Sequence, residues 1–281
     1  MSRRLALALG LIALLAAAVP AYAAAKTSYY VSLGDSLSVG YQPHVGRAAS
    51  TTRQGYVDDL FKVERRKFPG LRMVKLGCAG ESTLTISTDP SACSYGLFAN
   101  QLQAAAAFFS AHRGQIAFVT IDIGANDVDS CVKQGQLDAT CLTNGIAAIK
   151  RNTPAIAKRL RRIAGPSTPI VSVNLYDPEL ELFLVGQQDL AKASVGVIDQ
   201  INKIGSDAFA KVKAKTADVA NAFQIHDLTT MTNLPGFGQV PVAVARNCQL
   251  TWMCVVPPGP DIHANPAGYL LMAQTIAKLI K

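Results

Sequence analysis

Apolar residues recur along this chain with two different periods, and the two kinds of stretch alternate. Five short runs, at 29–33, 73–76, 116–123, 170–175 and 218–223, are rich in β-branched and aromatic residues and predict buried strands. Most are apolar throughout rather than at every second position, as expected for parallel strands covered on both faces. Between them, apolar side chains return every three to four residues, which predicts helices. Residues 54–67 place Tyr56, Leu60 and Val63 on successive turns, and 99–112 are alanine-rich around Leu102, Phe108 and Phe109. Residues 145–163 carry Ile149, Ile156 and Leu160, and 190–213 carry Val195, Ile198, Ile201 and Phe209. The last stretch, 265–281, opens with Pro266, which a first helical turn tolerates. Strand–helix alternation of this kind predicts a doubly wound α/β sandwich. Four longer connections, 83–95, 129–143, 177–188 and 229–260, would gather at the carboxyl ends of the strands, where open parallel sheets bind ligands.

The first 25 residues follow a different pattern. Arg3 and Arg4 precede an apolar run, and Ala21-Tyr22-Ala23 is a small-x-small cleavage site, the layout of a secretory signal peptide. The run is short for a bilayer span, and no later stretch is apolar enough for one. Residues 26–281 then form one domain, with no repeat or linker. Of the 27 Lys+Arg, only Arg3 and Arg4 fall in the leader, leaving 25 against 19 Asp+Glu, a net +6. The excess is mild, and the cluster Lys158, Arg159, Arg161 and Arg162 lies in a helical pattern without interleaved aromatics. A nucleic-acid partner is therefore not expected.

Export changes the reading of the cysteines. Cys78, Cys93, Cys131, Cys141, Cys248 and Cys254 are even in number, and no Cys-x-x-Cys or neighbouring histidine suggests zinc. Disulfides are expected, with nearest-neighbour pairing as the simplest scheme.

Four islands carry candidate chemistry. Ser36 stands in Gly34-Asp35-Ser36-Leu37, where an apolar run stops at a tight turn and residues 37–41 read as a helix start. A serine there is exposed above a sheet, or it caps the helix. As a nucleophile it needs a base. Of the four histidines, His44, His112 and His226 have ordinary explanations as loop, helix-end and turn residues. His263 lies two residues after Asp261 on an extended loop, so the carboxylate can hold Nδ1 and leave Nε2 free for a hydroxyl. Asn126, in Gly124-Ala125-Asn126-Asp127 at the third strand's end, offers an amide N–H. Gly77 and Gly80 flank Cys78 at the second strand's end, and either could present a backbone N–H.

In this order, GDSL at 34–37, AGEST at 79–83, GAND at 124–127 and DIH at 261–263, the chain resembles the SGNH, or GDSL-type, hydrolase family. The resemblance implies a three-layer α/β/α fold with a parallel five-stranded, flavodoxin-like sheet. It implies Ser36 as nucleophile, His263 as general base and Asp261 as the group orienting it. The Ser36 and Gly80 N–H groups and the Asn126 amide would form the oxyanion hole. The Gly-x-Ser-x-Gly elbow of the α/β-hydrolases is absent, because Ser38 occupies the second glycine's place.

The expected activity is a secreted, extracellular or periplasmic serine esterase or lipase, without metal or cofactor, acting as a monomer on small-molecule or lipid esters. Apolar residues in the loops (Leu180, Leu182, Phe183, Leu184, Val185, Leu234, Phe237, Val240, Val242 and Val244) would favour acyl over acetyl-sugar substrates if they line the cleft. A carbohydrate O-deacetylase or acyltransferase on the same fold is the nearest rival, and an inactive secreted binding module the more distant one.

Overall fold

The computed structural model describes residues 26–44, 47–88, 91–133 and 136–281; the leader expected at 1–25 lies outside them. Five parallel strands form the central sheet: β1 (Ser28–Gly34), β2 (Leu71–Lys75), β3 (Ile116–Asp122), β4 (Ile170–Val173) and β5 (Lys215–Ala217). Their spatial order is β2-β1-β3-β4-β5, so the order reverses between β1 and β3. Loops leaving those two strands diverge there and open a crevice at their carboxyl ends.

The helices are α1 (Tyr56–Glu64), α2 (Gln101–Ala111), α3 (Ala139–Ala164), α4 (Gln188–Ala210), α5 (Val219–Ala222), α6 (Val242–Leu250) and α7 (Pro266–Ala277). Successive strand residues face opposite ways, and the core divides accordingly. Tyr30 and Phe118 pack with Leu60 of α1 and Tyr269, Met272 and Ile276 of α7. Val31, Leu33, Val119 and Ile121 pack with Leu102 and Phe109 of α2 and Ile156 and Leu160 of α3. Both faces of the sheet are thus covered by helices, which is why its central strands read as unbroken apolar runs.

Two expectations are corrected. Residues 218–223 are not a strand. Asp218 accepts the Asn221 N–H and caps α5, and Val219, Ala220 and Phe223 form one buried helical face. The fifth strand lies just before it, at an edge, where only Ala217 of Lys-Thr-Ala is buried. The helix expected after Ser36 is a single 3₁₀ turn, Leu37–Val39, closed by Gly40 in the left-handed conformation. The long connections also carry structure of their own. The first turn of α3 lies within 129–143, residues 178–185 wind into a 3₁₀ helix, and a hairpin with α6 fills much of 229–260.

Candidate active site

Ser36 leaves β1 on a turn that requires close backbone approach. Gly34 has φ +130°, and a Cβ there would lie 2.7 Å from the Asp122 carboxyl carbon. A Cβ on Gly77 would overlap the Ser38 hydroxyl, which donates to the Asp35 carbonyl at 2.7 Å. Gly77 therefore makes room for the turn. The Leu37 N–H donates to the Asp35 carboxyl at 3.1 Å and tightens it further. Ser36 makes no helix-capping bond. Its hydroxyl instead lies 2.8 Å from His263 Nε2.

His263 Nδ1 lies 2.6 Å from Asp261 Oδ1, which also accepts the His263 backbone N–H at 3.0 Å. A carboxylate partner fixes the proton on Nδ1, so Nε2 accepts from Ser36. Partial burial pushes the Asp261 carboxyl up. The two N–H groups and the charge of His263 outweigh that and hold it below the ordinary carboxylate range. The loop bearing both residues is pinned on three sides. Trp252 N–H donates to the His263 carbonyl at 3.0 Å, Tyr176 OH to the Ile262 carbonyl at 2.8 Å, and Asn265 caps α7 by accepting two N–H groups. The Tyr41 ring packs on the imidazole with centroids 4.5 Å apart.

The other two islands are stitched to each other. The Asn126 amide donates to the Glu81 carbonyl at 3.0 Å, and Asp127 accepts the Thr83 N–H at 2.9 Å and its hydroxyl at 2.6 Å. Burial raises the Asp127 carboxyl, an effect these donors oppose. One Asn126 N–H is thereby anchored, and a primary amide has a second to offer. Gly80, at φ +84°, turns the chain just before Glu81. Ser36, Asn126 and His263 line one cleft, and Gly80 is not among its lining residues.

The cleft is aliphatic on most sides: Leu37, Val128, Leu142, Leu182, Leu190 and Val197 line it, and apart from the His263 imidazole Tyr176 is its one aromatic ring among the described residues. Of the loop residues expected to line it, only Leu182 does. Leu180 is in the main core, while Leu234, Val240 and Val244 form a separate cluster against which Phe183 and Leu184 pack. The lining comes instead from α3 and α4: Leu142 lies in the stretch expected as a connection, and Leu190, Val197 and Ile198 lie in the helix expected over 190–213. Besides Asp35, three carboxyl-bearing residues border the cleft. Burial raises Asp129, lifts Asp177 to about 6, and lifts Glu179 to about 7 with help from Asp177.

The remaining histidines have partners elsewhere. His44 bonds Ser50, His112 stacks on Phe108, and His226 pairs with Asp199 at the surface. Cysteines pair as 78–93, 131–141 and 248–254. Each bridge borders a site loop, and Cys131 reaches the cleft wall. Among the described residues, no cluster of three His, Cys, Asp or Glu is placed to hold a metal ion, and no helix is long and apolar enough to cross a membrane.

Sequence reading missed a buried framework beneath the serine. Gln101 accepts the Gly34 N–H at 2.7 Å and donates to its carbonyl at 2.9 Å, clamping both backbone groups. Asp122, at the end of β3, accepts from the Asp35 N–H and from Tyr56 OH. The signal for Asp122 was present, since a lone carboxylate closes an otherwise apolar strand. Nothing local marks Gln101.

A family model described as the GDSL-like Lipase/Acylhydrolase family matches residues 32–271. No curated protein sequence matches the chain. Among solved structures, an extracellular lipase from Streptomyces rimosus is similar with TM-score 0.58 and 20% identity, covering 90% of this chain and 100% of that one. A mutant of an acetyl-xylooligosaccharide esterase from Geobacillus gives 0.54 at 14% identity, covering 92% and 95%. An α/β hydrolase enzyme from the metagenome of Lake Arreo gives 0.53 at 18%, covering 91% and 96%. At these identities the structural likeness is one of fold.

Proposed function

This chain belongs to the GDSL-like lipase/acylhydrolase family, hence to the carboxylic ester hydrolases, and from that premise we propose that it cleaves acyl esters through an acyl-serine on Ser36. The observation that carries the reading is the 2.8 Å contact between Ser36 Oγ and His263 Nε2 on the wall of an aliphatic cleft. Ser36 Oγ attacks the ester carbonyl carbon as its proton passes to Nε2. Asp261 stabilises the imidazolium and keeps the ring in place. The carbonyl oxygen, now negative, is held by the Ser36 N–H, the Gly80 N–H and the free N–H of Asn126. Collapse of the tetrahedral adduct breaks the bond to the alcohol, which leaves with the proton from Nε2. Water then attacks the acyl-serine, His263 takes its proton, and the acid departs as Ser36 recovers a hydrogen.

The cleft supports the choice of substrate. Its aliphatic walls suit a fatty acyl chain, whereas a sugar site needs stacking aromatics and Tyr176 alone supplies one. The bordering carboxyls disfavour a second negative charge on the substrate. Three disulfides beside the site suit an exported enzyme. All reacting groups come from one chain, which suits a monomer.

The test is hydrolysis of p-nitrophenyl esters by the mature protein and by Ser36→Ala. Removing a nucleophile that works with a base costs about 10⁴-fold or more in kcat. A Ser36→Ala variant that folds and keeps its rate sinks the proposal.

A further inference from the structure

Beneath the serine, the fold buries two carboxyl groups with no cation to balance them. Asp35 is fully buried and Asp122 is 1% exposed. They face each other across the β1–β3 junction, where Gly34 pairs with Asp122. The Asp35 N–H donates to Asp122 Oδ2 at 3.2 Å, which sets the two carboxyl-bearing residues side by side. Among the described residues neither forms a salt bridge, and Lys75, on the neighbouring strand β2, is taken by Asp58 at 2.6 Å. Tyr56 OH donates to Asp122, and the buried Tyr30, Tyr176 and Tyr269 are close enough for the carboxylate charge to push their hydroxyls up.

The partners are distributed unequally. Asp122 accepts from Tyr56 OH and from the Asp35 N–H. Asp35 Oδ1 accepts the Leu37 N–H, but Asp35 Oδ2 is buried without a partner among the described residues. A buried carboxylate oxygen with no donor is costly, and two adjacent carboxylates without a cation are costlier. One proton removes both costs. Placed on Asp35 Oδ2, it gives that atom a partner in Asp122 and leaves a single negative charge where the donors already are.

We propose that Asp35 and Asp122 hold one proton between them and act as one positioning unit for the turn that carries Ser36. Burial raises both carboxyls, and the charge of Asp122 raises Asp35 further, whereas the donors from Asp35 and Tyr56 oppose the rise at Asp122; the proton therefore belongs on Asp35, as the arrangement requires. Through the Asp35 carboxyl, the pair sets the Leu37 N–H and with it the Ser36 backbone between them. Through the missing second charge, it spares the developing oxyanion a repulsive neighbour. Neither group touches the substrate. The kinetic part of this inference rests on Ser36 as nucleophile, and the shared proton does not.

Two measurements separate these. The infrared spectrum of the folded wild type at pH 8 should contain a protonated-carboxyl stretch, shifted in D₂O, that is absent from both Asp35→Asn and Asp122→Asn. Asp35→Asn, whose amide N–H₂ replaces the shared proton, should keep kcat within about tenfold of wild type. Asp35→Ala should lose about 100-fold or more in kcat with KM nearly unchanged, because the turn is misplaced rather than the cleft. If neither asparagine variant removes a carboxyl band, no proton is shared and the proposal falls. If Asp35→Asn loses as much kcat as Asp35→Ala, the pair is not a proton-mediated positioning unit. The spectrum and the asparagine variant decide the matter even if the alanine variant does not fold. Failure of Ser36→Ala to affect turnover would overturn the nucleophile assignment and leave the spectral result standing.

Discussion

Lengthening the acyl chain perturbs the cleft without altering the protein. Each methylene that leaves water for an aliphatic wall contributes about 0.8 kcal/mol, or about fourfold in an equilibrium constant. The walls here are Leu37, Val128, Leu142, Leu182, Leu190 and Val197, with no polar side chain between them on the α4 side until Ser194. Burial of the chain is present in both the bound ester and the transition state, so the gain should appear in kcat/KM. From acetate to hexanoate, four methylenes add about 3 kcal/mol, or about 200-fold. A matched variant locates the effect. Ala193 of α4 lines the cleft yet is exposed, so Ala193→Phe places a ring in the cleft without overpacking the core. Initial rates on p-nitrophenyl acetate, butyrate, hexanoate and octanoate give the series. Ala193→Phe should leave acetate within about twofold and cut the octanoate-to-acetate ratio by about tenfold or more, roughly the loss of two buried methylenes. A wild-type series that is flat or falls from acetate onward would refute the acyl-cleft reasoning, as would a variant that shifts every ester alike.

Asn126→Ala should lower kcat by about 10²–10³ with little change in KM, the usual cost of one oxyanion donor, read by steady-state kinetics. Asp177 gives a stability prediction of unusual sign. Its folded value, about 6, lies above the ordinary 3.8 because it is buried. The folded state therefore binds more protons than the unfolded one between about pH 4 and pH 6, and stability falls as pH rises through that window, by up to about 3 kcal/mol. Urea denaturation across pH 4–7 should show that slope in wild type and a flatter one in Asp177→Asn, whose amide keeps the oxygen that accepts from Glu179 N–H. Replacing Cys78 and Cys93 together by alanine should cost about 3 kcal/mol in the same assay, the loop spanning 15 residues.

The parts of the fold that were legible in the sequence are those where local pattern and tertiary burial agree. Strands β1, β3 and β4 lie in the sheet's interior and are apolar at most positions on both faces, and α1, α2 and α4 bury one face each. The fifth strand was misplaced because Lys215-Thr216-Ala217 is short, polar and at an edge, while the more apolar Val219, Ala220 and Phe223 beside it form a helix that Asp218 starts. The first turn of α3 was hidden because Thr140, Thr143 and Asn144 face outward and carry no apolar period. In the site, Ser36, Asn126, Asp261 and His263 could be read because each stands on or beside a strand end or helix start with a short motif. The cleft walls could not, since Val197 looks like any other helix residue and Leu142 like part of a connection until the chain closes around them. Gln101 and the Asp35–Asp122 contact join residues 67 and 87 positions apart, a distance that a local pattern does not span.

The central claim is that Ser36 attacks and carries the acyl group, and its most direct test is covalent trapping. Mature enzyme treated with a fluorophosphonate and digested should show a single adduct, on the peptide containing Ser36. His263→Ala should label far more slowly and Ser36→Ala not at all. An adduct at another residue, or undiminished labelling of folded Ser36→Ala, would contradict the account.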